Sequence, residues 1–154
     1  MALPAQSRRS RRKWIWIGLS VVLAGMALVY WLIHTEKFSD TKDRKATFTV
    51  NAQEFIHEFE QDDSTANKKY TGKIITVNGR VGEVEAADTT VNIKFIDPAS
   101  GSYAIFAFQE QHAGEAKTVR VGDSISIKGS FSSGFFSDIL GTTAITFKRS
   151  TLNK

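Results

Sequence analysis

Residues 14–33 read WIWIGLSVVLAGMALVYWLI, twenty positions without a charge. At about 1.5 Å per residue such a helix covers the ~30 Å hydrocarbon core of a bilayer. Trp14 and Trp16 mark one end and Tyr30 and Trp31 the other. Amphipathic rings favour the two membrane interfaces, so this is the pattern of an aromatic belt. A cleaved secretory signal would have a shorter apolar core, about 7–15 residues, ending in a small-x-small site. Here the run ends in Tyr-Trp-Leu-Ile-His. The pattern therefore predicts an uncleaved transmembrane helix over residues 14–34, with the lipid bilayer as its partner.

Beyond this run the pattern changes twice. In residues 50–62, VNAQEFIHEFEQD, the apolar positions Ala52, Phe55, Ile56 and Phe59 fall at i, i+3, i+4 and i+7. That spacing makes one stripe on a helix. Asn51 is a good N-cap, Glu54 three residues on completes a capping box, and Val50 and Phe55 suit a hydrophobic staple. From residue 73 the period becomes two. Ile75, Val77, Gly79 and Val81 alternate with Thr76, Asn78 and Arg80, and the run extends to residue 84. Val91, Ile93 and Phe95 form a second strand, residues 103–108 a third, Ile125, Ile127 and Phe131 a fourth, and residues 138–147 a fifth. Residues 97–101, DPASG, are a turn, and Ser132-Ser133-Gly134 reads as a break. Residues 109–117, QEQHAGEAK, suit a short helix or a loop. Gly79 and Gly82 inside the first strand suggest a bulge or sharp bend.

Five short strands with such glycines predict a mainly β domain: a five-stranded OB-fold barrel, with an SH3-like barrel as the runner-up. The amphipathic helix would cover an open end or face of it. The organisation expected is a basic tail over 1–13, the transmembrane helix over 14–34, a juxtamembrane linker over 35–49 and the barrel over 50–154.

Charge sharpens the picture. The 154-residue chain carries 20 basic and 16 acidic residues, a formal net charge of +4. Five of the basic residues (Arg8, Arg9, Arg11, Arg12 and Lys13) precede the apolar run, and no acid does. Without them, 20 − 5 leaves 15 basic against 16 acidic, so the rest is close to neutral at −1. The basicity belongs to the tail. Against the mixed KFSDTKDRK that follows the span, it places the N-terminus in the cytoplasm and the body on the extracytoplasmic, periplasmic side. The tail reads as a topology signal and anionic-lipid contact.

Chemistry is sparse. No cysteine is present, which excludes disulfides, thiolate metal sites and a cysteine nucleophile. His34, His57 and His112 are isolated and make no zinc pattern. No glycine loop for a nucleotide appears, and no serine sits in a nucleophile elbow. The acidic group Glu58, Glu60, Asp62 and Asp63 reads as a solvated helix end. No cofactor, metal or catalytic residue is expected, and the chain reads as a binder and not an enzyme.

The body resembles the bacterial OB-fold family called tRNA_anti-like. The resemblance rests on residues 66–73 (ANKKYTGK), 77–81 (VNGRV), 121–129 (VGDSISIKG) and 137–140 (SDIL). With the preceding helix it covers about residues 50–152. It implies an OB-fold carried behind a signal, lipid anchor or membrane span, without a defined ligand. This chain lacks the cysteines that many members carry around the fourth and fifth strands. A membrane-anchored haem chaperone with the same plan needs a histidine with a tyrosine four residues on. His112 is followed there by Ala116 and His57 by Gln61, so that reading is set aside.

These readings predict a membrane-anchored, extracytoplasmic, non-catalytic binding module whose partner is an envelope protein or a glycan. The alternative is a single-stranded nucleic-acid binder, for which an OB-fold uses stacking aromatics in a basic groove. The candidate contact residues are Tyr103, Phe135 and Phe136, with Arg80, Lys94 and Lys128 at outward strand positions. Phe135 and Phe136 are expected in the turn between the last two strands, a loop that binds ligands in this fold.

Overall fold

The computed structural model describes the backbone of residues 8–35 and 40–153, and the side chains of 15–32 and 40–153. The readings made for the tail before Arg8, for the Trp14 side chain and for residues 36–39 lie outside the described residues. The chain forms two compact units, Met1–Phe38 and Ser39–Lys154.

The first unit holds helix α1, Arg8–Thr35. Within it Ile15–Leu32 is apolar and long enough to cross a membrane, and none of those residues is buried. By length and composition such a helix suits a membrane anchor or a signal sequence.

The second unit is one seven-stranded sheet with three helices. In chain order it runs β1 (Phe48–Asn51), α2 (Ala52–Gln61), α3 (Asp63–Tyr70), β2 (Ile74–Arg80), β3 (Glu83–Ala86), β4 (Val91–Ile96), β5 (Tyr103–Phe108), α4 (Glu110–Ala116), β6 (Ser124–Ser137) and β7 (Thr142–Leu152). The strand order is β1-β2-β6-β7-β5-β4-β3. This is an open seven-stranded sheet, and it corrects the expected closed five-stranded barrel. All five expected strand regions are present. The first is broken at Val81-Gly82 into β2, which pairs with β6, and β3, which pairs with β4. At the break the Val81 amide donates to the Asp123 carbonyl at 2.9 Å and the Gly82 amide to the Lys94 carbonyl at 2.8 Å. One stretch of chain thus serves strands far apart in the row, which curls the sheet.

The seventh strand, β1, straddles the expected boundary between linker and barrel. It pairs in parallel with β2, Phe48 opposite Ile75 and Asn51 opposite Asn78. Parallel neighbours need a crossover connection, and α2 and α3 supply it. The compact unit that holds β1 begins at Ser39. Residues 40–44 are also docked. Asp40 caps a single 3-10 turn, Thr41–Asp43, by accepting from the Lys42 amide. His112 Nε2, on the buried face of α4, lies 2.7 Å from Asp40 Oδ2. That hydrogen bond, one from Gln111, and above all the Lys42 amide hold the Asp40 carboxyl below its ordinary value.

The helix stripe is as the spacing predicts. Ala52, Phe55, Ile56 and Phe59 are all buried, and Asn51 caps the helix by accepting from the Gln53 amide at 3.0 Å. The polar α3 follows at once, because Asp62 ends α2 and caps α3 through Thr65. Its Ala66 and Tyr70, four residues apart, face inward. The core is an aromatic chain. The Tyr70 ring centroid lies 5.0 Å from that of Phe55 and 5.9 Å from that of Phe59, and Phe106 stacks on Phe147 at 4.5 Å.

Two glycines decide how close the helix comes. A methyl group built on Gly79 would stand 2.6 Å from the Ala52 side chain. One built on Gly134 would stand 2.5 Å from the Phe59 ring. Gly134→Ala should therefore cost about 1–3 kcal/mol, the range for overpacking a core. Gly114 is an exposed helical position in α4 with open space around it. Gly114→Ala should stabilise by about 0.5–1 kcal/mol from helix propensity alone. Melting curves of the two variants should move in opposite directions.

Glu58 ties α2 to α3. It accepts from Lys69 Nζ and from the Tyr70 hydroxyl, each at 2.7 Å. Burial pushes its carboxyl up, but those two hydrogen bonds outweigh burial and leave it below its ordinary value. A carboxylate held low stabilises above its unfolded-state pKa, and that stabilisation is lost as pH falls through the folded value. Glu58→Gln should thus melt below the parent protein at neutral pH, and the gap should narrow as the pH falls below the ordinary glutamate value and through the lower folded one. A gap of equal width across that range would mean that the charge is not what matters.

Candidate functional site

Because paired strand residues share a face, the register identifies a surface across four strands. Ile96 of β4 stands opposite Tyr103 of β5, Tyr103 opposite Ala144 of β7, and Ala144 opposite Phe135 of β6. At about 4.8 Å per strand step this row is roughly 14 Å long. It lies on the side of the sheet away from Phe95, Phe106 and Phe147, which are buried. A second row runs beside it as Lys94, Ile105, Thr146 and Ser133.

The apolar row continues past the end of the hairpin. β6 runs to Ser137, and the turn is residues 138–141, closed by Gly141 at φ +65°. Ile139 is 96% exposed and Leu140 67%. Phe135 and Phe136, at 53% and 52%, are also open to solvent. This corrects the expected position of the two phenylalanines: they are on β6, not in the turn. Ser132-Ser133-Gly134 does not break the strand but lies within it, where the pairing with β7 shifts register between Phe131 and Ser133. The shift brings Ser133 opposite Thr146 and so turns Phe135 to the outer face.

The six candidate residues do not form one cluster. Lys94, Tyr103 and Phe135 share the outer face. Phe136 stands opposite Thr143, on the other side of the hairpin. Lys128 donates to the carbonyls of Lys42 and Arg44 at 2.8 and 3.0 Å, so it fastens the segment entering the body. Arg80 borders a separate cavity of about 490 Å³ between the start of α2 and strands β2, β4 and β6. Ile96, Ile139 and Leu140 belong to the surface but were not candidates. Ile139 and Leu140 fall where the sequence pattern opens the last strand, and Ile96 closes a strand whose alternation is complete at Phe95.

The electrostatics of the outer face are local. Lys94 is paired with Glu85 and, at 3.0 Å, with Glu83, and it stands 5.5 Å from the centre of the Tyr103 ring. Hydrogen bonds to Glu85 and then Glu83 hold the ammonium above its ordinary value. The same ammonium lowers the Glu85 carboxyl. Lys94 on this face is thus matched by two carboxylates. The surface around it offers apolar area and hydrogen-bonding edges.

Comparison with known proteins adds the family. Residues 1–140 match the tRNA_anti-like family. No curated protein matches the chain. Among solved structures, a lipoprotein from Klebsiella pneumoniae, to which nucleic-acid binding is ascribed, is 16% identical. The match takes in 68% of this chain and 91% of that one, at a TM-score of 0.53. It shares the fold. Asparaginyl-tRNA synthetase from Pyrococcus horikoshii is 14% identical at a TM-score of 0.37, over 56% of this chain and 21% of that one.

The half-exposed rings at the hairpin end set a stability expectation. Replacing Phe135 or Phe136 by serine removes only part of a phenylalanine's buried area, so each should cost about 1 kcal/mol or less. Circular dichroism melts would then fall by no more than about 5 °C for each. A larger loss would mean that these rings hold the hairpin together.

Proposed function

We propose that this chain, which belongs to the tRNA_anti-like family, is a membrane-anchored, extracytoplasmic binding module that holds its partner on the outer face of β4, β5, β7 and β6. The observation that carries the reading is the apolar row Ile96, Tyr103, Ala144 and Phe135, continued by the open side chains of Ile139 and Leu140. Ala144 is buried and Ile96 and Tyr103 are half-buried, so the open apolar area is that of Phe135, Ile139 and Leu140. An exposed apolar group of this kind, bordered by polar residues, marks an interaction surface. The anchor is α1, whose apolar stretch Ile15–Leu32 is long enough for a bilayer. The five basic residues before it favour a cytoplasmic N-terminus and a periplasmic body. The partner class is an envelope protein or glycan. The module binds and does not catalyse, and Lys94, Tyr103 and Phe135 are its contact residues.

A second reading is single-stranded nucleic acid. Tyr103 and Phe135 are available for base stacking, and nucleic-acid binding is ascribed to the Klebsiella lipoprotein of the same fold. Phosphate neutralisation dominates nucleic-acid affinity, however, and Lys94 is already matched by Glu83 and Glu85.

Protease added to intact spheroplasts should digest a C-terminal tag on the full chain. Protection until lysis would put the body in the cytoplasm and overturn the location. A photo-crosslinker at Phe135 should capture an envelope component, and one at the exposed Lys117, which follows α4 and donates to the Asp88 carbonyl, should not. Binding of the full chain to a single-stranded oligonucleotide at low salt, weakening steeply as salt is added, would favour the second reading.

A further inference from the structure

The cavity beside Arg80 is apart from the hairpin tip and touches the outer face only through Ile96, which lines it. Its volume of about 490 Å³ lies within the range of small-molecule sites, about 300–1,000 Å³. Its walls are of two kinds. Ile56, Phe95 and Ile125 give it an apolar floor, while Gln53, Asn78 and Arg80 stand at its opening.

Arg80 is set differently from the other cations described above. Its Nε donates to the Gly122 carbonyl at 2.9 Å, which fixes the plane of the guanidinium. The terminal nitrogens make no hydrogen bond, and no carboxylate pairs with the group, among the described residues. Lys69 and Lys94 each have a carboxylate partner, and Lys128 has two carbonyls. Asp123, the nearby acid in sequence on that turn, instead accepts from the Arg120 amide. A guanidinium held by one edge presents its other N–H groups as a planar fork, the shape that matches a carboxylate or phosphate in bidentate fashion. Because the group is already oriented, less freedom is lost when an anion arrives.

We propose that this cavity binds a small ligand in which one carboxylate or phosphate is joined to a compact apolar body, the anion on Arg80 and the apolar part against Ile56, Phe95 and Ile125. Asn78 and Gln53 supply further amide donors at the opening. The site shares Ile96 with the outer face but includes none of Lys94, Tyr103 and Phe135.

The test uses the full chain in detergent micelles, with backbone amide spectra recorded during titration. The probes are phenylacetate, phenyl phosphate and the neutral 2-phenylethanol. Phenylacetate, phenyl phosphate or both should give saturable shifts at the amides of Gln53, Arg80 and Ile125. Which anion binds more tightly identifies the head group. The neutral alcohol should bind at least tenfold more weakly. Arg80→Gln should keep the parent melting temperature and lose at least tenfold in affinity. Arg80→Lys, which keeps the charge without the fork, should fall between the two. Phe135→Ser should leave the affinity unchanged. The proposal is overturned if neither anion gives saturable shifts at those amides, or if Arg80→Gln binds as the parent does. A tenfold loss on Phe135→Ser would move the anion to the outer face and overturn it equally.

Discussion

The helix α2 can lie on the sheet only because two strand positions beneath it carry no side chain. Gly79 of β2 leaves room for Ala52 at the start of the helix, and Gly134 of β6 leaves room for Phe59 near its end. Between these points Phe55 and Ile56 are pressed into the aromatic core, Phe55 standing 5.7 Å from Phe147 by ring centroids. Burying a large apolar side chain stabilises by about 1.5–3 kcal/mol, so the stripe is a main source of the body's stability. Its consequence reaches the surface. The helix covers the inner face of the curled sheet and the aromatic core fills it, so what remains for a partner is the outer face and the gaps at the helix ends. The cavity beside Arg80 is one such gap. It opens where α2 begins, above Gly79, the point at which the helix comes nearest to β2.

Much of this was legible in the sequence, for a definite reason. A stripe at i, i+3, i+4 and i+7 with an asparagine before it has one comfortable solution, and α2 adopts it. Period-two runs located the strand regions of β2 to β7. What the pattern hid was pairing. β1 has four residues, and only its parallel pairing with β2, across two intervening helices, makes it a strand. α3, DSTANKKY, offers a single inward pair, Ala66 and Tyr70, too few positions to announce a stripe. Ser132-Ser133-Gly134 has turn composition, but in the sheet it holds a register shift and the glycine that Phe59 needs.

The candidate site was legible only in part, on the same grounds. Alternation says that Arg80, Lys94 and Lys128 point outward. It does not say what they meet. Lys94 meets two glutamates, Lys128 two carbonyls of the entering segment, and Arg80 one carbonyl beside an open cavity. Three similar positions in the sequence therefore have three different roles. The row Ile96, Tyr103, Ala144 and Phe135 joins residues from four strands, and its existence depends on three registers at once.

The long hairpin of β6 and β7 separates two tasks. Near one end, Lys128 and its pairing partner Thr151 lie where residues 40–44 enter the body. At the other end stand Phe135, Ile139 and Leu140. From residue 128 to residue 137 the strand rises by about 30 Å at roughly 3.3 Å per residue. The charges follow the same division. Lys94 on the outer face is cancelled by its neighbours, while Arg80 beside the cavity has no carboxylate partner among the described residues. A partner that meets the outer face is therefore selected by shape and apolar area more than by long-range attraction. That favours an uncharged surface, such as a protein face or a sugar ring, over a polyanion.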